Sequence, residues 1–160
     1  MPRIYVSIGS NVDREANIRS AVRRLRERFG SLTLSRVYDS DPVGFVGAPF
    51  YNLVAGFDSR LPVERLREAL TEIEREQGRR RDAERFGPRT LDLDLLLYGD
   101  VVDPARNMPR AEIVRHAFVL APLAEIAAQE RHPATGETFG ELWSRFRDPQ
   151  QRVTVTDFAP

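Results

Sequence analysis

Two periods of hydrophobic and polar positions divide the chain into elements. Residues 4–9, IYVSIG, form a β-branched and aromatic run that predicts a strand ending at Gly9. Ser10 and Asn11 follow as candidate helix caps. Ile18, Ala21, Val22, Leu25 and Phe29 then recur at helical spacing, which predicts an amphipathic helix over 16–30 closed by Gly30. Residues 32–40 read as a strand, 41–49 as a loop rich in Gly and Pro, and 51–59 as a further strand. Pro62 opens a second helix with Leu66, Leu70 and Ile73 facing inward and Gly78 as its stop. LDLDLLLYG (91–99) is a strand running into a turn at Gly99–Asp100. Residues 117–128 predict a loop entering a third helix. HPATGET predicts a turn, FGELWSRF a short helix, and VTVTDF an edge strand.

Strand, helix, strand, strand, helix, strand is the order of a ferredoxin-like α+β sandwich. Its mainly antiparallel sheet of four to six strands carries helices packed on it. No repeat, low-complexity tract or linker intervenes, so one domain over 1–160 is expected. A chain of 160 residues buries roughly 70% of its unfolded surface, enough for a core without staples. The lack of cysteine excludes disulfides and thiolate metal sites. The opening residues contain no signal-peptide pattern, and no stretch approaches the roughly 20 apolar residues that span a bilayer. A cytoplasmic protein with no membrane partner is therefore expected.

Charge narrows the function further. The 24 basic and 24 acidic residues cancel, which argues against a protein that grips nucleic acid. Lysine is absent, so every basic residue is arginine, and a Walker-type phosphate loop and Schiff-base chemistry are both excluded. His116 and His132 are the only histidines, too few for a histidine-rich zinc site.

Chemistry concentrates in residues 78–99, GRRRDAERFGPRTLDLDLLLYG. On a strand, Asp92 and Asp94 share one face while Leu91, Leu93 and Leu95 share the other. Carboxylates at i and i+2 start about 6 to 7 Å apart at the backbone, so both can reach one divalent cation or bracket two. Without a cation they repel in a strand that disfavours aspartate. Neutralisation by nearby arginines is the alternative reading. Oxygen ligands on one face suit magnesium, which binds one or two carboxylates together with substrate phosphates. Arg79, Arg81, Arg85 and Arg89 precede the strand, and guanidinium groups fork onto phosphate oxygens. A cationic loop leading into a carboxylate pair is equipment for holding a nucleoside triphosphate.

At these residues the sequence resembles the hydroxymethyl-dihydropterin pyrophosphokinase family of the folate pathway. The resemblance is carried by GRRRDAERFGPRTLDLDLLLYG, with support from IGSN (8–11), SDPVG (40–44), PFYN (49–52) and AFVLAPL (117–123). It implies a ferredoxin-like core and transfer of pyrophosphate from ATP to the pterin's hydroxymethyl group, with AMP released. It implies that Asp92 and Asp94 hold two Mg2+ ions, and that Arg79, Arg81, Arg85 and Arg89 clamp the ATP phosphates, Arg79 and Arg89 joining the aspartates in catalysis. Leu95, Arg110 and His116 would complete the nucleotide site. Ser40, Val43 and Asn52 would hydrogen-bond the pterin edge, and Phe50 and Phe118 would sandwich its ring.

The chain also departs from the family. Residues 109–112 are Pro-Arg-Ala-Glu where Pro-His-Pro-Arg is usual, so Arg110 replaces a histidine. His116 stands where an arginine is expected, and Phe86 where tryptophan is common. These departures motivate a pterin-binding paralogue with altered substrate or lost turnover as a second reading. A ferredoxin-like RNA-binding module is a third, although carboxylates on its sheet would repel phosphate. A monomer is expected, with a dimer as the alternative.

Overall fold

The computed structural model describes residues 1–44, 46–79 and 91–160, with residue 79 described in its backbone only. Its elements are β1 (Arg3–Ser10), α1 (Arg14–Phe29), β2 (Thr33–Leu34), β3 (Tyr38–Ser40), β4 (Phe50–Asp58), α2 (Val63–Arg79), β5 (Asp92–Tyr98), a 3-10 turn (Pro104–Arg106), α3 (Glu112–Arg115), α4 (Ala117–Ala127), α5 (Phe139–Arg145) and β6 (Val153–Val155). The strands form one six-stranded antiparallel sheet in the order β5-β1-β4-β3-β6, and β2 also pairs with β4. This is the expected α+β sandwich.

Alternation along the strands builds a core on each face. Ile4, Val6, Ile8, Leu53, Ala55, Phe57, Leu91, Leu93 and Leu95 point towards α1 and α2, meeting Ile18, Leu25, Leu66 and Ile73. On the opposite face Tyr5, Val54, Leu96 and Leu97 meet Val119, Leu120, Leu123 and Phe139. Leu96 and Leu97 share that face because the β1–β5 register shifts between Tyr5 and Val6. Such a bulge places an extra residue in one strand and restores Tyr98 to the first face.

Four local expectations need correction. Residues 32–40 are two strands, because Ser35 leaves the ladder: its backbone N–H donates to Val54 O while its Oγ accepts the Val54 N–H. Ser10 and Asn11 do not cap α1. Asp13, in the left-handed region at φ 42°, occupies that position, and the Ser10 hydroxyl donates to Val12 O. Gly78 does not stop α2, which runs on to Arg79. Residues 112–127 are two helices meeting at His116, whose extended backbone separates α3 from α4.

The outer edge of β5 is covered. Glu74 on α2 accepts the Leu93 N–H at 2.8 Å, and the Arg110 N–H donates to Leu96 O at 3.0 Å. These bonds occupy backbone groups that would otherwise offer a template to another chain.

Candidate active site

α4 covers only part of the second sheet face. The remainder is polar, and it floors an open cleft. One rung of the sheet there is Asn52–Gly9–Asp92 and the next is Val54–Ser7–Asp94, by the registers of β4, β1 and β5. Ser7, Gly9, Asn52, Asp92 and Asp94 form the floor, while Ser40 to Val43, Phe50, His116 and Phe118 form the walls. The cleft begins where the apolar residues of that face give out, so the alternation of β1 and β5 positions it.

One wall carries hydrogen-bonding groups. The Asn52 Nδ2 amide donates to Ser40 Oγ at 2.7 Å, with both residues buried. That bond aims Asn52 Oδ1 over Gly9, where a Cβ on residue 9 would lie 2.9 Å from it. Gly9 is in ordinary extended backbone, so what it contributes is space for this amide. Val43, 44% exposed, stands on the loop above.

The other wall is aromatic. The His116 and Phe118 rings lie 4.9 Å apart at a tilt of 35°. The start of α4 that carries them is braced by Gln151, whose Oε1 accepts the Ala117 N–H and whose Nε2 donates to Arg115 O. Phe50 lines the same cleft from β4, so the two phenylalanines expected to flank a flat ring both reach it. Burial pushes His116 below its ordinary pKa; Glu112 opposes this and Arg115 adds to it. Its Nδ1 has no hydrogen-bond partner among the described residues.

Glu125 also ties β3 and the residue stretch before it to α4. Glu125 on α4 accepts the Tyr38 hydroxyl at 2.6 Å and the Arg36 backbone N–H at 3.0 Å, and it pairs with the Arg36 guanidinium at 3.3 Å. Burial, then the bond to Glu125, pushes the Tyr38 phenol up to about 12.

At the far end Asp92 and Asp94 face the cleft from one side of β5. Arg110 approaches Asp94 at 3.5 Å and Glu112 at 2.6 Å. Arginine neutralisation therefore applies to Asp94, but the guanidinium is shared with Glu112 and the Asp94 side chain stays 44% exposed. The two carboxylates offer hard oxygen donors from one face with room for water and phosphate oxygens, the donor set that magnesium takes. No group of three or more potential metal-ligating side chains occurs among the described residues.

The structure thus brings together Ser40, Val43, Phe50, Asn52, Asp92, Asp94, His116 and Phe118, and ties Arg110 to their edge. It separates Leu95 from them. That side chain is 2% exposed in the core beneath α1 and α2, and only its backbone remains to meet a nucleotide. The side chain of Arg79, and Arg81, Arg85 and Arg89 entirely, lie outside the described residues. Ser7 and Gly9 are cleft residues that the sequence reading did not single out.

Comparison with known proteins places the chain in a family. The family model described as 7,8-dihydro-6-hydroxymethylpterin-pyrophosphokinase (HPPK) matches residues 5–128. A 2-amino-4-hydroxy-6-hydroxymethyldihydropteridine pyrophosphokinase of Pseudomonas aeruginosa is 42% identical over 140 residues, covering 82% of this chain and 84% of its own. One of Bacillus subtilis is 38% identical over 137 residues, covering 82% and 81%. Among solved structures, a Plasmodium falciparum HPPK-DHPS crystal structure superposes with TM-score 0.72 at 11% identity, over 90% of this chain and 44% of that one, which supports the fold. Nothing found favours an RNA-binding module or an altered paralogue. Among the described residues, no helix is long and apolar enough to cross a membrane. The chain belongs to the 7,8-dihydro-6-hydroxymethylpterin pyrophosphokinase family.

Proposed function

We propose that this protein transfers pyrophosphate from ATP to the hydroxymethyl group of 6-hydroxymethyl-7,8-dihydropterin. The observation that carries the reading is the cleft itself. A hydrogen-bonding amide and hydroxyl, two phenylalanines and two carboxylates line one space, in a chain of this family. A flat heterocycle with its donor and acceptor edge at Asn52 and Ser40 would stack between Phe50 and Phe118, and offset aromatic contacts of this kind contribute about 0.5 to 1.5 kcal/mol each. Its hydroxymethyl arm would then extend towards Asp92 and Asp94.

In the reaction the hydroxymethyl oxygen attacks the β-phosphorus in line and the bond from that phosphorus to the α,β-bridging oxygen breaks. AMP leaves with that oxygen, and the hydroxymethyl proton passes to solvent. Asp92 and Asp94 would hold two Mg2+ ions, which when bound supply neutralisation of phosphate charge. Arg110 orients Asp94 through their ion pair. Arg79, Arg81, Arg85 and Arg89 are assigned to the triphosphate, since guanidinium groups pair bidentately with phosphate. The same reading has one domain acting in the cytoplasm as a monomer; sedimentation of the purified chain checks the monomer.

The decisive experiment incubates the protein with ATP, magnesium and the dihydropterin and measures AMP. AMP that forms only when the pterin is present supports the assignment. Its absence at substrate concentrations that saturate binding removes it.

A further inference from the structure

Ser7 is an anomaly on the cleft floor. It is 6% exposed in the middle of β1, between the buried residues Val6 and Ile8. Its hydroxyl makes no hydrogen bond to another described residue, and it is not sealed in the core: it opens onto the cleft. Its neighbours across the sheet leave the hydroxyl unused. On β4 it faces Val54, which carries no polar atom in its side chain, and on β5 it faces Asp94. Ser40, a buried hydroxyl on the same face, is paired with Asn52. Ser7 instead lines the space between that amide and the aspartates.

A hydroxyl both donates and accepts, so it pairs with either kind of ring nitrogen. A heterocycle reaching from Asn52 on β4 to Asp92 and Asp94 on β5 has to cross β1, and on this face β1 presents Gly9 and Ser7. Gly9 has no side chain to offer, and Ser7 has one polar atom. We propose that Ser7 is a substrate-binding residue whose hydroxyl hydrogen-bonds a ring nitrogen of the bound pterin. This rests on the pyrophosphokinase reading and goes beyond it by adding a contact on the floor of the site to those on its walls.

The test is Ser7→Ala, a substitution that keeps the strand and removes one oxygen. Two quantities are measured beside the wild type: KM for each substrate, and the calorimetric Kd for the dihydropterin with magnesium and a non-hydrolysable ATP analogue. A single net hydrogen bond corresponds to a loss of roughly threefold to tenfold. The pterin KM and Kd should both rise by about that factor while the KM for ATP holds. An unchanged pterin Kd overturns the proposal. So does a matching rise in the KM for ATP, which would place the hydroxyl's effect on Asp94 and the phosphates, or a lowered melting temperature with both substrates affected alike. If the wild type releases no AMP, the proposed activity fails, but the pair of pterin Kd values still decides the role of Ser7.

Discussion

Gly9→Ala separates the stability of this protein from its ligand recognition. A Cβ at residue 9 would meet Asn52 Oδ1 at 2.9 Å and Phe50 Cδ1 at 3.9 Å. The first contact is too close, so the Asn52 amide must turn, and its 2.7 Å bond to Ser40 is lost or bent. That bond is worth about 1 kcal/mol net. Alanine within a strand recovers roughly 0.5 to 1 kcal/mol relative to glycine, because glycine loses more freedom on folding. The two terms nearly cancel, and at this length 1 kcal/mol moves the melting temperature by about 2–4 °C. The ligand loses more. A displaced Asn52 and a freed Ser40 remove about two hydrogen bonds to the heterocycle edge, which is tenfold or more in affinity. Calorimetric titration of the dihydropterin, beside a thermal melt, reads both quantities. A pterin Kd within twofold of wild type would refute the argument, and so would a melting temperature lowered by 10 °C or more.

Other perturbations address the remaining parts. Asp94→Asn should cut AMP release at least about a hundredfold, comparable with losing one preorganised electrostatic group, with the circular dichroism spectrum retained. Gln77→Leu should cost about 1–3 kcal/mol in urea unfolding. It breaks a buried chain in which Ser20 Oγ donates to Gln77 Oε1 and Gln77 Nε2 donates to Asn17 Oδ1, both at 2.7 Å. Burial lowers the pKa of both His116 and His132, so below the ordinary value of about 6.5 the unfolded chain binds more protons than the folded one. Stability should therefore fall as pH drops from 7.5 to 5.5, and the double variant His116→Gln/His132→Gln should show a flatter profile in thermal melts.

How much of this was legible depended on whether a residue's local pattern agreed with its tertiary role. The aspartates were readable because β5 alternates, so Asp92 and Asp94 could have only one face between them. The bulge two residues later was not, because Leu96 and Leu97 are both apolar and either register buries a leucine. Ser35 read as one more strand residue, and only the position of Val54 on β4 shows why it interrupts the ladder. Asp13 took the place of the expected caps through a left-handed backbone that aspartate tolerates, which leaves little trace in sequence. Ser7 did leave a signal. In IYVSIG the positions opposite Ile4, Val6 and Ile8 are Tyr5, Ser7 and Gly9, so the polarity of the second face was already changing along that run.

Glu125 lies on the helix that carries Phe118, and through Tyr38 and the Arg36 backbone it holds the strand that ends at Ser40. The spacing between the aromatic wall and the hydrogen-bonding wall is thus gauged by one carboxylate that meets no substrate. Lengthening or shortening that side chain would act as a caliper adjustment, moving Ser40 relative to Phe118 and so changing how far the edge of a stacked ring can extend.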